Sequence, residues 1–400
     1  MTDDLGRELV DWIVTTALAS TDEQALLDGL CARLNAAGLE LARAFVASEI
    51  LHPLHDARSV VWRGHGAARK DYGGNPEDEA DWQRSPLFHI IENELPTLRI
   101  RLDDTLVPGR YPLLHQLRDD EGGTDYLAQM RGFGDGTSYG DFRGVVASWT
   151  TRRPGGFTNA QIATLDRCMS ALTLAFKSST FFDTGRTLMR TYLGHDAGAR
   201  VIAGEIRRGE PQAIDAVLWS SDLRGFTRLA DSLESKRLMA LLNAYSEVLV
   251  SVVERHGGDV LKFMGDGILA LFRGDDPCAP ALAAALEARR QVDDLNVERE
   301  AAGVPVTDFY LGLHRGTVLY GNIGSPERLD FTVIGPAVNE VARIEQMCRS
   351  LDQPVVTSAE FASACGTDRD RLVSLGRYAL RGVGRAQELF TIDPERSRTA

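Results

Sequence analysis

Leu261-Lys262-Phe263-Met264-Gly265-Asp266-Gly267-Ile268-Leu269-Ala270 is the stretch that decides the fold, read together with Ser221-Asp222-Leu223-Arg224-Gly225-Phe226-Thr227 upstream. An Asp-Gly pair between two apolar runs is a strong hairpin signal, because such a turn needs residues that tolerate positive φ. Asp266 is therefore expected at a hairpin tip. Asp222 is expected at the end of a separate strand through Ala216-Val217-Leu218-Trp219, just before a helix that Thr227 caps. Two strand-end aspartates side by side make a hard, oxygen-rich site suited to Mg²⁺ or Mn²⁺ and a bound polyphosphate. A Gly-Asp-Gly by itself is usually only a turn, so the rest of the constellation has to carry the assignment.

Working outward, Leu329-Asp330-Phe331-Thr332-Val333-Ile334-Gly335-Pro336-Ala337-Val338-Asn339-Glu340-Val341-Ala342-Arg343 reads as a strand ending at Gly335, with Pro336 in the first turn of a helix. Asn339 and Arg343 are four apart on one helical face, so an amide and a guanidinium can reach one phosphate. Together these segments resemble the catalytic domain of class III nucleotidyl cyclases, the adenylate and guanylate cyclases, over residues 214–392.

The resemblance implies a ferredoxin-like βαββαβ α/β (α+β) fold. It implies that Asp222, Leu223 and Asp266 form a metal site for two Mg²⁺ or Mn²⁺ ions, that Asn339 holds the ribose, and that Arg343 stabilises charge at the α-phosphate. Phe226 and Thr227 fall among the substrate-binding positions. Arg381, in Ser374-Leu375-Gly376-Arg377-Tyr378-Ala379-Leu380-Arg381-Gly382-Val383, matches the basic residue of a loop that grips the terminal phosphates. The following Gly384-Arg385-Ala386-Gln387 lacks the proline that commonly precedes the family's last strand. A head-to-tail homodimer is also implied, with Asp222 and Asp266 of one chain facing Lys262, Thr332, Asn339 and Arg343 of the other.

The chemistry implied is in-line attack of a ribose 3′-hydroxyl on the α-phosphorus, with pyrophosphate leaving opposite. Base choice follows from donors and acceptors. Adenine has an acceptor at N1 and a donor amine at C6, so an ammonium suits adenine and a carboxylate suits guanine. Lys262 is one of only four lysines, with Lys70, Lys177 and Lys236, in a chain that otherwise uses arginine. Thr332 falls where the family places its second base-reading residue. The expectation is an adenylate cyclase converting ATP to 3′,5′-cyclic AMP and pyrophosphate. Its rivals are a guanylate cyclase, which Lys262 disfavours, and a catalytically weak module that binds nucleotide only for regulation.

Composition bounds the remainder. With 400 residues, two domains are expected. A net charge of −13 without clustered cations argues against nucleic acid as a partner. Apolar residues make up 44%, yet no run approaches the ~18 residues of a membrane span. The acidic start Met1-Thr2-Asp3-Asp4 is unlike a signal peptide, and Cys31, Cys168, Cys278, Cys348 and Cys365 lack metal-ligand spacing, so a cytoplasmic location with reduced thiols is expected.

The first half carries no catalytic motif. Helices are expected at 9–18 and 23–37, strands at 44–48, 59–62, 97–100 and 145–149, and a long helix opened by the capping box Thr158-x-x-Gln161. This order resembles a GAF-like α+β sensor. Phe45, Trp62, Phe88, Tyr126 and Trp149 either line a ligand pocket there or fill its core. Ile162, Leu165, Met169, Leu172 and Phe176 fit either a two-stranded coiled coil or a helix packed on its own sheet. The organisation expected is a sensor at 1–176 that takes an unidentified small ligand or protein partner, a helical linker and transducer segment at 177–213, and the cyclase domain at 214–392.

Overall fold

The computed structural model describes residues 3–50, 52, 55–73, 75–102, 109, 111–133, 144–207, 209, 211–381 and 383–393. They divide into two compact units, Met1–Leu188 and Met189–Ala400.

The first unit opens with α1 (Asp3–Ala19) and α2 (Glu23–Ala36), the latter capped by the Asp22 carboxylate, which accepts from the Gln24 and Ala25 amides. Then come β1 (Leu41–Glu49), β2 (Ala57–Trp62), β3 (Ala67–Tyr72), α3 (Pro76–Gln83), α4 (Pro86–Glu92), β4 (Thr97–Arg101), α5 (Pro112–Asp119), β5 (Asp125–Gly132) and β6 (Gly144–Thr151). The strands form one antiparallel sheet in the order β3-β2-β1-β6-β5-β4. Because side chains alternate across a strand, this sheet buries two faces. Ala44, Val46, Trp62, Leu127 and Trp149 pack with α1 and α2 on one side, while Phe45, Tyr126 and Val146 pack with Ile90 of α4 and Leu114 of α5 on the other. Of the aromatic residues offered as pocket or core, Trp62 and Trp149 thus lie in the first core and Phe45 and Tyr126 in the second, while Phe88 of α4 is half-buried outside both.

The helix α6 (Asn159–Leu193) starts at the expected capping box. The Thr158 amide donates to Gln161 Oε1 at 2.9 Å, and the Gln161 amide donates to Thr158 Oγ1 at 3.2 Å. Its Leu165, Met169, Leu172 and Phe176 stripe lies in the first of those cores, so these residues belong to a helix packed on its own sheet and not to a coiled-coil seam. The two readings share nearly the same repeat, and only burial separates them.

In the second unit Gly194, at φ +87°, breaks the chain direction; a Cβ there would stand 2.5 Å from the Val260 carbonyl oxygen. After it come α7 (His195–Ile202), β7 (Gln212–Leu223), α8 (Phe226–Ser232), α9 (Ser235–Arg255), β8 (Asp259–Met264), β9 (Gly267–Phe272), α10 (Cys278–Ala301), β10 (Phe309–Gly324), β11 (Leu329–Ile334), α11 (Pro336–Leu351), β12 (Val355–Ser358), α12 (Ala359–Ala364), β13 (Leu372–Tyr378) and β14 (Gln387–Ile392). The sheet order β13-β14-β12-β10-β7-β9-β8 contains the ferredoxin-like arrangement in β10-β7-β9-β8, and β11 pairs with the extended end of β10. Leu241, Tyr245 and Leu249 of α9 and the small residues Ala281, Ala284, Ala285 and Ala288 of α10 pack on one face. Ala337 and Val341 of α11 and Ala197 of α7 pack on the other. Each fully buried Leu or Phe in such a core is worth about 1.5–3 kcal/mol of apolar transfer.

Two glycines let elements approach closely enough to build the site. A Cβ on Gly312 of β10 would lie 2.6 Å from the Glu345 amide nitrogen, so α11 rests directly on the sheet there. A Cβ on Gly267 would lie 2.6 Å from the Ser221 carbonyl oxygen and 3.4 Å from Asp222 Oδ1, so β9 draws up tightly beside the end of β7.

Candidate active site

Asp266 stands at the tip of the β8–β9 hairpin, as the sequence predicts, with one difference in the turn. Met264 pairs with Gly267, so the two loop residues are Gly265 and Asp266, and the left-handed φ of +71° belongs to Gly265. This is the primed turn with glycine at its first central position. Asp222 lies next to the last residue of β7, a longer strand than Ala216–Trp219. The two aspartates meet: the Leu223 amide donates to Asp266 Oδ2 at 3.3 Å, and the two carboxyls are in hydrogen-bonding contact. Burial first, and then the neighbouring Asp266, push the Asp222 carboxyl up to about 6.

A third carboxylate joins them. Glu345 of α11 is half-buried and is pushed up to about 7, by burial and then by the charges of Asp222 and Asp266, against the lowering effect of Arg349. Among the described residues no side-chain cation pairs with Asp222 or Asp266. Clustered carboxylates are hard oxygen donors with excess negative charge, and that donor set fits Mg²⁺ or Mn²⁺. No three side chains among the described residues gather as a metal site, so coordination has to be completed by backbone oxygen, water or substrate phosphate.

The Gly225 position corrects the expected cap. Gly225, at φ +70°, is the N-cap of α8, and no side chain caps that helix. Thr227 sits inside its first turn and is exposed, while Phe226 packs against the core of the unit. A glycine in a left-handed turn takes the place where a threonine hydroxyl was expected to end the loop.

The base-reading candidates meet on another rim. Lys262 of β8 forms an ion pair with Asp330 of β11, two residues from Thr332 and on the same strand face. Thr332 is 7% exposed, and its Oγ1 is buried without a hydrogen-bond partner among the described residues. Asp330 had no place in the sequence reading, since nothing local links positions 68 residues apart. Asn339 and Arg343 share one flank of α11, and neither is engaged by another side chain among the described residues. Arg343 and Glu345, two positions apart, point about 200° apart around the helix axis. The flank that bears Glu345 faces the aspartates, so the flank that bears Asn339 and Arg343 faces away from them. Arg381 follows Leu380, whose burial with Tyr310 and Ile344 anchors the loop and leaves the guanidinium exposed.

The hairpin that carries Lys262 and Asp266 is tied to α7. Asp196 accepts from Tyr320 Oη at 2.9 Å and from Arg200 Nε at 2.9 Å, and it pairs with Arg273 of the β9 end, which reaches Asp259 of β8 at 3.2 Å.

Residues 211–393 match the adenylate and guanylate cyclase catalytic domain family. The chain carries a class III nucleotidyl cyclase domain. Over 133 residues, 32% of the chain, it is 37% identical to an adenylate cyclase of Anabaena cylindrica, covering 26% of that protein. Adenylate cyclase 1 of Rhizobium meliloti (strain 1021) is 26% identical over 178 residues, 43% of this chain and 26% of its own length. The chain thus spans about a quarter of each of these relatives. The solved structure of a bacterial light-regulated adenylyl cyclase aligns over 88% of this chain and 93% of its own with a TM-score of 0.50 at 17% identity, a likeness of fold. No helix among the described residues is long and apolar enough to cross a membrane.

Proposed function

We propose that the protein is an adenylate cyclase that converts ATP to 3′,5′-cyclic AMP and pyrophosphate at sites shared between two copies of the chain. The observation that carries this reading is the division of α11: Glu345 flanks the aspartates of its own chain, while Asn339 and Arg343 project from the opposite flank. A two-fold partner would bring the second flank to the first chain's aspartates, giving two identical sites.

In each site Asp222 and Asp266, with the Leu223 backbone, would hold divalent metal, Mg²⁺ or Mn²⁺. Such ions, when bound, lower the pKa of the attacking hydroxyl and neutralise triphosphate charge. The residues of the chain supply the rest. Arg343 donates to the equatorial oxygens where charge develops, Asn339 holds the ribose in line, and Arg381 grips the terminal phosphates. Phe226 and Thr227 border the phosphates at the start of α8. Lys262 donates to adenine N1, and the unpartnered Thr332 hydroxyl accepts from the C6 amine. The relatives named adenylate cyclase support the same choice of base.

Residues 1–176 are read as a GAF-like sensor, 177–213 as the linker and transducer, and 214–392 as the catalytic domain. The Asp196 network supports this, because α7 grips the hairpin that bears Lys262 and Asp266. A second reading, a guanylate cyclase, draws on Asp330, a carboxylate beside Lys262 of the type that suits guanine. Assay of the purified chain with ATP and with GTP, in Mn²⁺ and in Mg²⁺, separates the readings. Cyclic AMP from ATP is expected. Cyclic GMP alone would establish the second reading, and nucleotide binding without either product would leave a regulatory module.

A further inference from the structure

The first unit holds a buried arginine that the proposed cyclase activity does not use. Arg43 of β1 is 7% exposed. The other buried arginine among the described residues of the unit is matched by acids: Arg58 meets Asp71 at 2.8 Å and Asp183 at 2.6 Å. Arg43 has no hydrogen bond or ion pair among the described residues, and its Nε is buried without a partner. The charges that reach it are Arg63 and Glu121, which pair with each other at 3.3 Å and largely cancel. Burial lowers its pKa, as expected of a cation with no counter-charge.

Its neighbours on the sheet are polar and unsatisfied. Arg43 stands opposite Thr150 of β6, Phe45 opposite Ser148, and Tyr126 of β5 opposite Thr150, so all project from one face. The Thr150 hydroxyl is buried with no hydrogen-bond partner among the described residues, and the buried hydroxyls of Tyr126 and Ser148 have none there beyond each other. The Tyr126 and Ser148 hydroxyls approach each other, and Tyr126 also lies within electrostatic reach of Arg43 and Tyr111. Around them the face is apolar: Phe45, whose ring centroid lies 5.2 Å from the Arg43 guanidinium carbon, Ile90 of α4, and Leu114 of α5. Unpaired buried cations and orphaned hydroxyls are each costly, and natural cores avoid them. A cation and three hydroxyl donors converging in an apolar setting have the chemistry of a recognition site for one oxyanion.

We propose that this face binds a small organic oxyanion, with its carboxylate or phosphate group on Arg43, Tyr126, Ser148 and Thr150 and an apolar body against Phe45, Ile90 and Leu114. This site lies wholly within Met1–Leu188 and does not depend on the cyclase reading. The test is the melting temperature of the full chain with benzoate or inorganic phosphate, against chloride at matched ionic strength, for the wild type, Arg43→Met and Arg43→Lys. At an anion concentration of about one hundred times the dissociation constant the wild type should gain about 5 °C in the transition of this unit. Arg43→Met should gain nothing and, without anion, should melt no lower than the wild type. Arg43→Lys keeps the charge without the planar fork and should gain less than the wild type, so it serves if Arg43→Met does not fold. Response to benzoate alone identifies a carboxylate ligand, and response to phosphate alone a phosphate. Equal responses of the wild type and the folded variants to both anions would overturn the proposal, since phosphate bound at the catalytic residues would shift all of them alike.

Discussion

The two flanks of α11 differ in how their polar groups are satisfied. On one, Glu345 and Asp222 are each raised by burial and then by neighbouring carboxylate charge, Asp266 acting on both. On the other, Asn339 and Arg343 extend with no side-chain partner among the described residues. The first has too much negative charge and the second an unspent positive one. On the proposed reading each flank is half of a site, and a second copy would bring to each the chemistry it lacks.

The largest effect should come from splitting the halves genetically. Arg343→Ala should lower turnover about 10²–10³-fold, as loss of one transition-state donor does elsewhere, and Asp222→Ala, which removes a metal-holding carboxylate, should lower metal-dependent turnover at least as far. Mixed and allowed to exchange subunits, the two variants should recover about a quarter of wild-type activity, because half the dimers are mixed and each has one intact site of two. Cyclic nucleotide formation by the mixture, with exchange followed by a tagged partner, measures this. Absence of recovery despite exchange would mean that one chain holds a complete site and that the comparison of flanks misleads.

A smaller effect is expected at the base. Lys262→Glu places an acceptor against adenine N1, a mismatched buried hydrogen bond costing about 1–3 kcal/mol, or roughly a 5- to 150-fold fall in kcat/KM for ATP. Metal-dependent binding of pyrophosphate should be unchanged. If both fall together, Lys262 supports the hairpin through Asp330 and does not read the base.

The carboxylate flank also predicts a pH dependence. Asp222 and Glu345 have raised native values, about 6 and about 7. Both are protonated in native and unfolded states below about pH 4, where their own contribution to stability is fully present. Their ionisation costs more in the native state, so metal-free protein should lose stability as pH rises through 6 and 7. Thermal melts at stepped pH should show this decline in the wild type, a shallower one in Glu345→Gln, and its suppression by Mn²⁺. Parallel wild-type and Glu345→Gln curves would remove Glu345 from the cluster.

The smallest effect sharpens the cation side. Thr332→Val removes a buried hydroxyl with no hydrogen-bond partner among the described residues, so the melting temperature should hold or rise slightly while kcat/KM for ATP falls. A lower melting temperature would show that the hydroxyl serves the fold.

Much of this was legible in the sequence, because the hairpin, the end of β7 and the start of α11 are local patterns: glycines that permit tight turns, a proline at a first helical position, and a four-residue spacing. What the sequence hid is tertiary. Glu345 shows its role only once α11 settles on Gly312, and Asp330 only once β11 folds back beside β8. In α6 the stripe from Leu165 to Phe176 could serve a partner helix or its own sheet with the same residues. The charged β3, Ala-Ala-Arg-Lys-Asp-Tyr, has no alternation to give away a strand; pairing with β2 makes it one.

Gly312 has a mechanical consequence. With no side chain between helix and strand, α11 rests on its support like a beam on a narrow bearing, its two flanks on opposite sides of the contact. In the proposed two-fold pair, a roll that presses Glu345 toward the aspartates of its own chain would lift Arg343 from the aspartates of the partner. In a two-fold pair the two catalytic centres would therefore share a pair of rockers, and closing one would loosen the other.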